Sequence, residues 1–131
     1  MRNNRAFAAP AAVALTAVML SAAVAPAVAK DGDVRSSGSC SPSGTWKLKA
    51  SPEDGRIEVE GEVDSNRNGQ SWHWSIRHNG SIAASGQRTT LAPSGSFEVR
   101  RVFANLAGMD TFVFTARRAG SKQVCQGAVR F

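Results

Sequence analysis

Residues that could hold a zinc ion are scarce in this sequence. The chain of 131 residues contains two cysteines, Cys40 and Cys125, and two histidines, His73 and His78. A zinc site needs more ligands than these separated residues offer. The histidines would point to opposite faces of one strand, and neither has an obvious nucleophile partner in the sequence. No Gly-rich phosphate loop or pair of carboxylates stands out either, so we predict a protein without enzymatic activity or cofactor.

A sustained apolar stripe with the period of a helix is also missing after residue 30. Instead, short segments of alternating apolar and polar residues recur between turn signals rich in Gly, Pro, Asn and Asp. This spacing is typical of antiparallel all-β domains. The pattern predicts a small antiparallel β-sandwich of about seven strands over residues 44–131.

The first 29 residues differ from the rest in composition. Arg2 and Arg5 precede a long uncharged stretch rich in Ala and Val, and the small residues Ala27-Val28-Ala29 follow. This order is that of a cleavable signal peptide, which we place at residues 1–29, followed by a mobile segment at 30–43. We therefore predict a secreted protein with no membrane attachment after cleavage. An uncleaved anchor is the alternative, because the run is nearly long enough to span a bilayer.

Both cysteines lie in the part of the chain that would be exported. In an oxidising compartment, Cys40 and Cys125 are expected to pair with each other. The bridge would close nearly the whole domain, for which chain-entropy arithmetic gives about 4–5 kcal/mol.

The first hairpin can be placed in register from its alternation pattern. A four-residue loop at Pro52–Gly55 would pair Lys49 with Glu58 and would keep apolar residues on the other face. Glu58, Glu60 and Glu62 then form one row of a sheet. We interpret this row as a partly paired, solvated face and not as a metal site.

Two later hairpins follow from the same reasoning. A three-residue turn at His78–Gly80 keeps Ile82 on the apolar face. A turn at Ala119-Gly120 sets Phe114 opposite Cys125, which then points into the core.

The tryptophans are interpreted as core residues. Trp72, Trp74 and Ile76 share one face of a strand, and the inward face of a sandwich needs large residues. Trp46 would lie opposite Gly61, whose missing side chain leaves room for an indole.

One loop matches the beginning of a calcium-binding loop. Asp64, Asn66, Asn68 and Gly69 follow the pattern Asp-x-Asn-x-Asn-Gly, which places oxygen ligands at every second residue. The match fails at the twelfth position, where Ser75 replaces the usual Glu. We predict little or no calcium binding, and a turn closed by Asn and Gly is the simpler interpretation.

A cluster of cations forms a second candidate site. Arg117, Arg118 and Lys122 flank Ala119-Gly120, so a tight hairpin would bring the three cations together at its tip. Such a tip could bind an anionic or carbohydrate polymer of the cell envelope, although a solvated turn has the same pattern. Nucleic acid is not expected as a partner, because no basic–aromatic stacking motif is present. We expect a monomer.

The chain resembles two groups of proteins. Residues 106–116 resemble the corner and penultimate strand of immunoglobulin-like sandwiches, but the sequence has no Tyr for a tyrosine corner, and Phe114 stands where an intersheet Cys would be. From Cys40 onward the chain also resembles small secreted proteins of unknown function from high-GC Gram-positive bacteria. That similarity rests on Gly-Arg-Ile-Glu-Val-Glu at 55–60, Glu-Val-Asp-Ser-Asn-Arg-Asn-Gly at 62–69, Ala-Pro-Ser-Gly-Ser-Phe-Glu-Val-Arg-Arg at 92–101, and Cys125. The resemblance implies an exported protein with this fold, but it indicates no activity.

These observations predict a secreted, noncatalytic binding or structural module of the cell envelope or extracellular space. A secreted protease inhibitor is the alternative, with exposed loops at Asn105–Asp110 or Ala92–Ser96 as candidates for the inhibitory segment. An enzyme is a remote third class, because no convergent catalytic groups can be located.

Overall fold

The computed structural model describes residues 32–131, which form eight β-strands in two antiparallel sheets of four strands each. The strands are β1 Val34–Ser39, β2 Thr45–Glu53, β3 Arg56–Asp64, β4 Ser71–His78, β5 Ser81–Thr89, β6 Ser96–Ala104, β7 Thr111–Arg118 and β8 Val124–Arg130. The all-β sandwich predicted from the alternation pattern is confirmed, with eight strands instead of about seven. Within residues 32–131, no helix is long and apolar enough to cross a membrane.

The strand order is β1-β2-β3-β6 in one sheet, called here the first sheet, and β5-β4-β7-β8 in the second sheet. After the β4–β5 hairpin, the chain crosses to the first sheet, where β6 pairs with β3, and then returns so that β7 pairs with β4. Immunoglobulin-like sandwiches pair strand B with E, C with F and F with G, as β3 pairs with β6, β4 with β7 and β7 with β8 in this chain.

Large side chains from both sheets fill the space between them. Trp46, Trp72 and Trp74 are 8%, 0% and 2% exposed, which confirms them as core residues. Phe112 and Phe114 from β7 are fully buried in the same cluster. Burial of each such side chain stabilises the fold by about 1.5–3 kcal/mol relative to its exposed state.

The sandwich begins earlier in the chain than predicted. Residues 34–39 lie in the segment expected to be mobile, but they form β1, which pairs with β2 from Val34 opposite Ala50 to Ser39 opposite Thr45. Inward positions of β1 were not recognised because they are occupied by small residues such as Ser36 and Gly38. The predicted signal peptide at residues 1–29 lies outside the described residues.

The predicted disulfide between Cys40 and Cys125 is confirmed. It joins the end of β1 in the first sheet to β8 in the second, and both cysteines are buried in the core. Ser41 and Val124 exchange two backbone hydrogen bonds of 2.9 Å beside it. The bridge therefore joins the two sheets through their edge strands β1 and β8.

The predicted register of the β2–β3 hairpin was wrong by two residues. The loop contains only Asp54 and Gly55, whose φ angles of 47° and 77° belong to a tight turn that matches the strand twist. Lys49 consequently lies opposite Glu60 and not Glu58. A shift by two residues keeps every side chain on its predicted face.

The other two hairpins differ from prediction as well. Asn79-Gly80 forms a two-residue turn that leaves Ile82 opposite Arg77 and 59% exposed, and a bulge beyond Arg77 changes the register of the following pairs. In the β7–β8 hairpin, Phe114 lies opposite Gly127, because the connection is longer than a turn at Ala119-Gly120.

Glycines make room for aromatic rings at positions other than those predicted. A Cβ atom added to Gly61 would lie within 3.0 Å of the ring of Phe114, not of Trp46. The indole of Trp46 instead lies against Gly38 and Gly127. The contact between Trp46 and Gly127 joins β2 in the first sheet to β8 in the second.

Candidate functional site

Acidic residues are confined to one side of the sandwich. Within residues 32–131, every Asp and Glu except the buried Asp110 lies in the first sheet, just before β1 or in the β2–β3 turn. The four strands of the second sheet contain no acidic residue at all. They do contain five arginines and two histidines. The strands of the first sheet carry six Lys and Arg beside their six acids, so the net positive charge of the strands lies on the second sheet.

Two carboxylates of the first sheet, those of Glu58 and Glu60, are engaged in ion pairs within that sheet. Glu58 is only 4% exposed and accepts a hydrogen bond from Arg100. Lys49 Nζ lies 2.6 Å from Glu60 Oε2, and this hydrogen bond lowers the pKa of Glu60 and raises that of Lys49. The predicted pairing within the row Glu58, Glu60 and Glu62 is confirmed for the first two residues, but the row is not solvated throughout, because Glu58 is buried beneath its pairing with Arg100.

The outward surface of the second sheet carries cations and no acidic side chain, and it is called here the basic face. It presents exposed His73 and Arg77 from β4, Arg117 from β7 and Arg130 from β8. His73 lies directly opposite Arg117 across neighbouring strands. Short polar side chains occupy the positions between these cations, including Ser75, Ser85, Thr115 and Gln126, which form one row across the sheet.

The three cations predicted to share a hairpin tip do not share one surface. Arg117 is exposed and belongs to the basic face. Arg118 lies opposite Trp72, on the inward side of β7, and is half-buried. Lys122 is exposed in the β7–β8 connection. Successive residues of a strand point to opposite faces, so the adjacent arginines are directed to different sites.

Arg118 lines a polar cavity of about 280 Å³, called here the end pocket. The cavity lies where the β3–β4 loop and the β7–β8 connection meet the segment that follows Cys40. Its lining residues are Pro42, Ser43, Ser65, Arg67, Gln70, Arg118, Ser121 and Gln123. Sequence reasoning missed Arg67 and Gln70 as site residues, because only the folded chain brings the β3–β4 loop beside the distant end of β7.

The candidate calcium loop is closed by its own hydrogen bonds. The backbone N–H of Asn66 donates to Asp64 Oδ1 at 2.9 Å, and Asn66 has a positive φ of 56°. Thr90 Oγ1 donates to the carbonyl oxygen of Arg67 at 2.6 Å, which ties the loop to the end of β5. Asn68 is exposed. Among residues 32–131, no three His, Cys, Asp or Glu side chains come together as metal ligands. Weak or absent calcium binding stays a prediction.

The loop Asn105–Asp110, called here the anchored loop, exposes two apolar side chains and is held in place by hydrogen bonds of Asp110. Leu106 and Met109 are 47% and 58% exposed. Asp110 is fully buried, exchanges two backbone hydrogen bonds with Phe131, and has its Oδ1 2.6 Å from Nε2 of His78. The second predicted loop, Ala92–Ser96, contains a buried glycine at position 95 and is bounded by the Leu91–Ser96 bridge.

Comparisons of the chain with protein-family models, with curated proteins and with solved structures find no match.

Proposed function

We propose that this protein is a secreted, noncatalytic binding module that attaches to an anionic polymer of the cell envelope or extracellular space through its basic face. One observation carries the proposal: the basic face presents Arg77, Arg117 and Arg130 together with His73, and the four strands of the second sheet contain no acidic residue. The signal-peptide pattern at residues 1–29 and the Cys40–Cys125 disulfide support an exported protein.

The arrangement of the basic face suits an extended ligand. His73 and Arg77 are on the same face of β4 and, at the rise of a β-strand, lie about 13 Å apart. Arg117 and Arg130 extend the positive surface over β7 and β8. A polymer with repeated negative charges can contact several of these cations at once, and the serine, threonine and glutamine side chains between them can hydrogen-bond to sugar hydroxyls.

The acids of the first sheet do not cancel this surface. They lie on the opposite side of the sandwich, whose sheets pack about 10 Å apart, and the strands of the first sheet carry six Lys and Arg beside their six acids. A polymer on the basic face is therefore attracted by the nearby arginines more than it is repelled by the distant carboxylates.

The proposal is tested with matched charge variants of the secreted protein. The basic-face variant carries Arg77→Gln, Arg117→Gln and Arg130→Gln. The control, with Arg35→Gln, Lys47→Gln and Arg56→Gln, removes the same charge from exposed positions of the first sheet. Binding is measured by sedimentation with isolated cell walls and by titration with a polyuronate as the defined probe.

We expect the basic-face variant to lose roughly 100-fold in affinity, since each cation near an anionic surface contributes about 1 kcal/mol. The control should stay within about threefold of the parent, and parental binding should weaken steeply with salt. Equal losses in both variants would mean that net charge alone is responsible, and unchanged binding in both would also reject the basic face as the site.

A second candidate function, protease inhibition, is favoured by the anchored loop Asn105–Asp110. Its backbone is held by the buried Asp110, while Leu106 and Met109 are available to enter an apolar specificity pocket. The experiment that tests this candidate is a panel of extracellular proteases titrated with the protein. Stoichiometric inhibition that disappears in Leu106→Asp or Met109→Asp would replace the polymer-binding proposal, whereas uninhibited proteases would remove this candidate.

A further inference from the structure

The end pocket combines two arginines with no carboxylate in its lining. Arg67 comes from the β3–β4 loop and Arg118 from the end of β7. Within residues 32–131, neither forms an ion pair with Asp or Glu. The adjacent acid Asp64 does not line the cavity, and its Oδ1 already accepts a hydrogen bond from the backbone of Asn66.

Arg118 has a buried donor with no partner in the protein. Its Nε atom is shielded from solvent and forms no hydrogen bond with any residue of the described chain. Because a buried donor without a partner costs about 1–3 kcal/mol, and more when the group is charged, such an atom in a pocket wall indicates a place for an acceptor. The backbone N–H of Arg118 donates to the carbonyl oxygen of Gln123 at 3.1 Å, which fixes this end of the strand.

Gln70 contributes a buried hydrogen-bond acceptor to the same cavity. Its Oε1 atom is also buried without a partner in the described chain, whereas its backbone N–H is held by Thr90 Oγ1 at 2.9 Å. The backbone of Gln70 is therefore fixed, while its side-chain Oε1 has no partner in the described chain. A ligand that fills the cavity should accept from Arg118 and donate to Gln70.

The remaining wall is preorganised by hydrogen bonds within the protein. Gln123 Nε2 donates to the carbonyl oxygen of Ser43 at 2.7 Å, and the backbone N–H of Gln123 donates to Ser121 Oγ at 3.1 Å. These contacts link the β7–β8 connection to the segment beside the disulfide. A preorganised polar wall lowers the entropic cost of binding a small ligand.

We propose that the end pocket binds a phosphate group, either inorganic or as a monoester. The guanidinium group of Arg118 offers parallel N–H donors that suit the oxygens of an oxyanion, and Arg67 adds a second positive charge. Inorganic phosphate keeps at least one proton at neutral pH and can donate it to Gln70 Oε1; a monoester can do so in its singly charged form, whose pKa is about 6, whereas sulfate carries no proton. The site is separate from the basic face and does not depend on polymer binding there.

The test is a titration of the isotope-labelled secreted protein, followed by NMR, with inorganic phosphate, glycerol phosphate and sulfate at constant ionic strength. We expect saturable shifts of the Arg118 Nε–H and Gln70 side-chain signals with both phosphates, and weaker binding of sulfate. A preference for glycerol phosphate would identify an ester as the ligand, and a preference for inorganic phosphate would identify the free ion. Shifts that stay linear with concentration, or that saturate away from the pocket, would overturn the proposal.

Arg117 provides a matched control, because it is the chain neighbour of Arg118 but lies on the basic face. Arg118→Gln should weaken phosphate binding about tenfold or more, while Arg117→Gln should change it less than about twofold. Arg67→Gln, at an exposed residue, tests the pocket without disturbing the fold and should weaken binding as well. Equal loss from Arg117→Gln and Arg118→Gln, or full retention in Arg118→Gln, would overturn the site. The triple variant of the basic face contains Arg117→Gln and should still bind phosphate, so the two proposals can fail separately.

Discussion

The contact of Trp46 with Gly127 offers a sharp test of the packing between the two sheets. A Cβ atom at position 127 would lie 2.6 Å from Cε3 of the indole and still closer to Cζ3 and Cη2. Carbon atoms in favourable contact are about 3.5–4.0 Å apart. Trp46 is 8% exposed and is also confined by Gly38, so Gly127→Ala must displace either the ring or β8.

The expected destabilisation follows from this overlap. Extra carbon atoms in a well-packed core usually cost about 1–3 kcal/mol, and the depth of the overlap places Gly127→Ala at about 3 kcal/mol. For a domain of this size, 1 kcal/mol changes the Tm by about 4–8 °C. The Tm of the oxidised protein should therefore fall by roughly 12–24 °C.

Thermal and urea unfolding of the oxidised protein measure the effect. Gly32→Ala is the control, because a Cβ atom there meets nothing within 4 Å, and its free energy of unfolding should change by less than about 0.5 kcal/mol. In the background of Trp46→Phe, whose ring is smaller, the cost of Gly127→Ala should fall by about 1 kcal/mol or more. A parental Tm for Gly127→Ala, or the same cost in both backgrounds, would refute the proposed clash.

Three further predictions concern export, metal binding and pH. Intact mass spectrometry of culture medium should find a species that begins at Lys30 and is lighter by two hydrogens than its reduced form; a full-length, membrane-bound mass would contradict export. Calorimetric titration should detect weak or no calcium binding at the loop that begins with Asp64, and micromolar affinity would contradict the lack of carboxylates. Because the hydrogen bond from Lys49 lowers the pKa of Glu60 from 4.5, the pair stabilises the fold above that value and is lost as the pH falls through the lowered pKa. Glu60→Gln should therefore flatten the loss of unfolding free energy between about pH 5 and pH 2, by no more than about 1 kcal/mol, and unchanged pH dependence in urea unfolding would count against this pair.

Alternation along single strands predicted most of the residues that face the core, with Ile82 as an exception, but it could not determine register. The predicted partner of Lys49 was Glu58, and the observed partner is Glu60, so the two β2–β3 registers differ by two residues. Such a difference leaves every side chain on the same face. Turn geometry decides between these registers, and Asp54-Gly55 favours the two-residue loop. The placement of glycines depends in addition on contacts across the sandwich, as at Gly61, which a hairpin considered alone cannot reveal.

β1 could not be predicted because its core-facing residues are small. Its inward positions include Ser36 and Gly38, whereas the apolar–polar alternation that identifies a strand requires larger apolar residues. The strand is nevertheless required by the fold, since it leads directly to Cys40 and places that residue beside β8. The disulfide was predictable from the cysteine count, but the strand that positions it was not.

The confinement of acidic residues to the first sheet could not be predicted either, because it depends on β6 crossing to that sheet. Glu98 lies on β6, which follows the β4–β5 hairpin in the chain but pairs with β3. Had β6 continued the hairpin by pairing with β5, Glu98 would belong to the second sheet and would add a carboxylate to it. The crossing instead collects the acidic residues of three strands on the first sheet and leaves the basic face without any. The property on which the proposed polymer binding depends is therefore a product of topology, and the composition of the chain alone could not predict it.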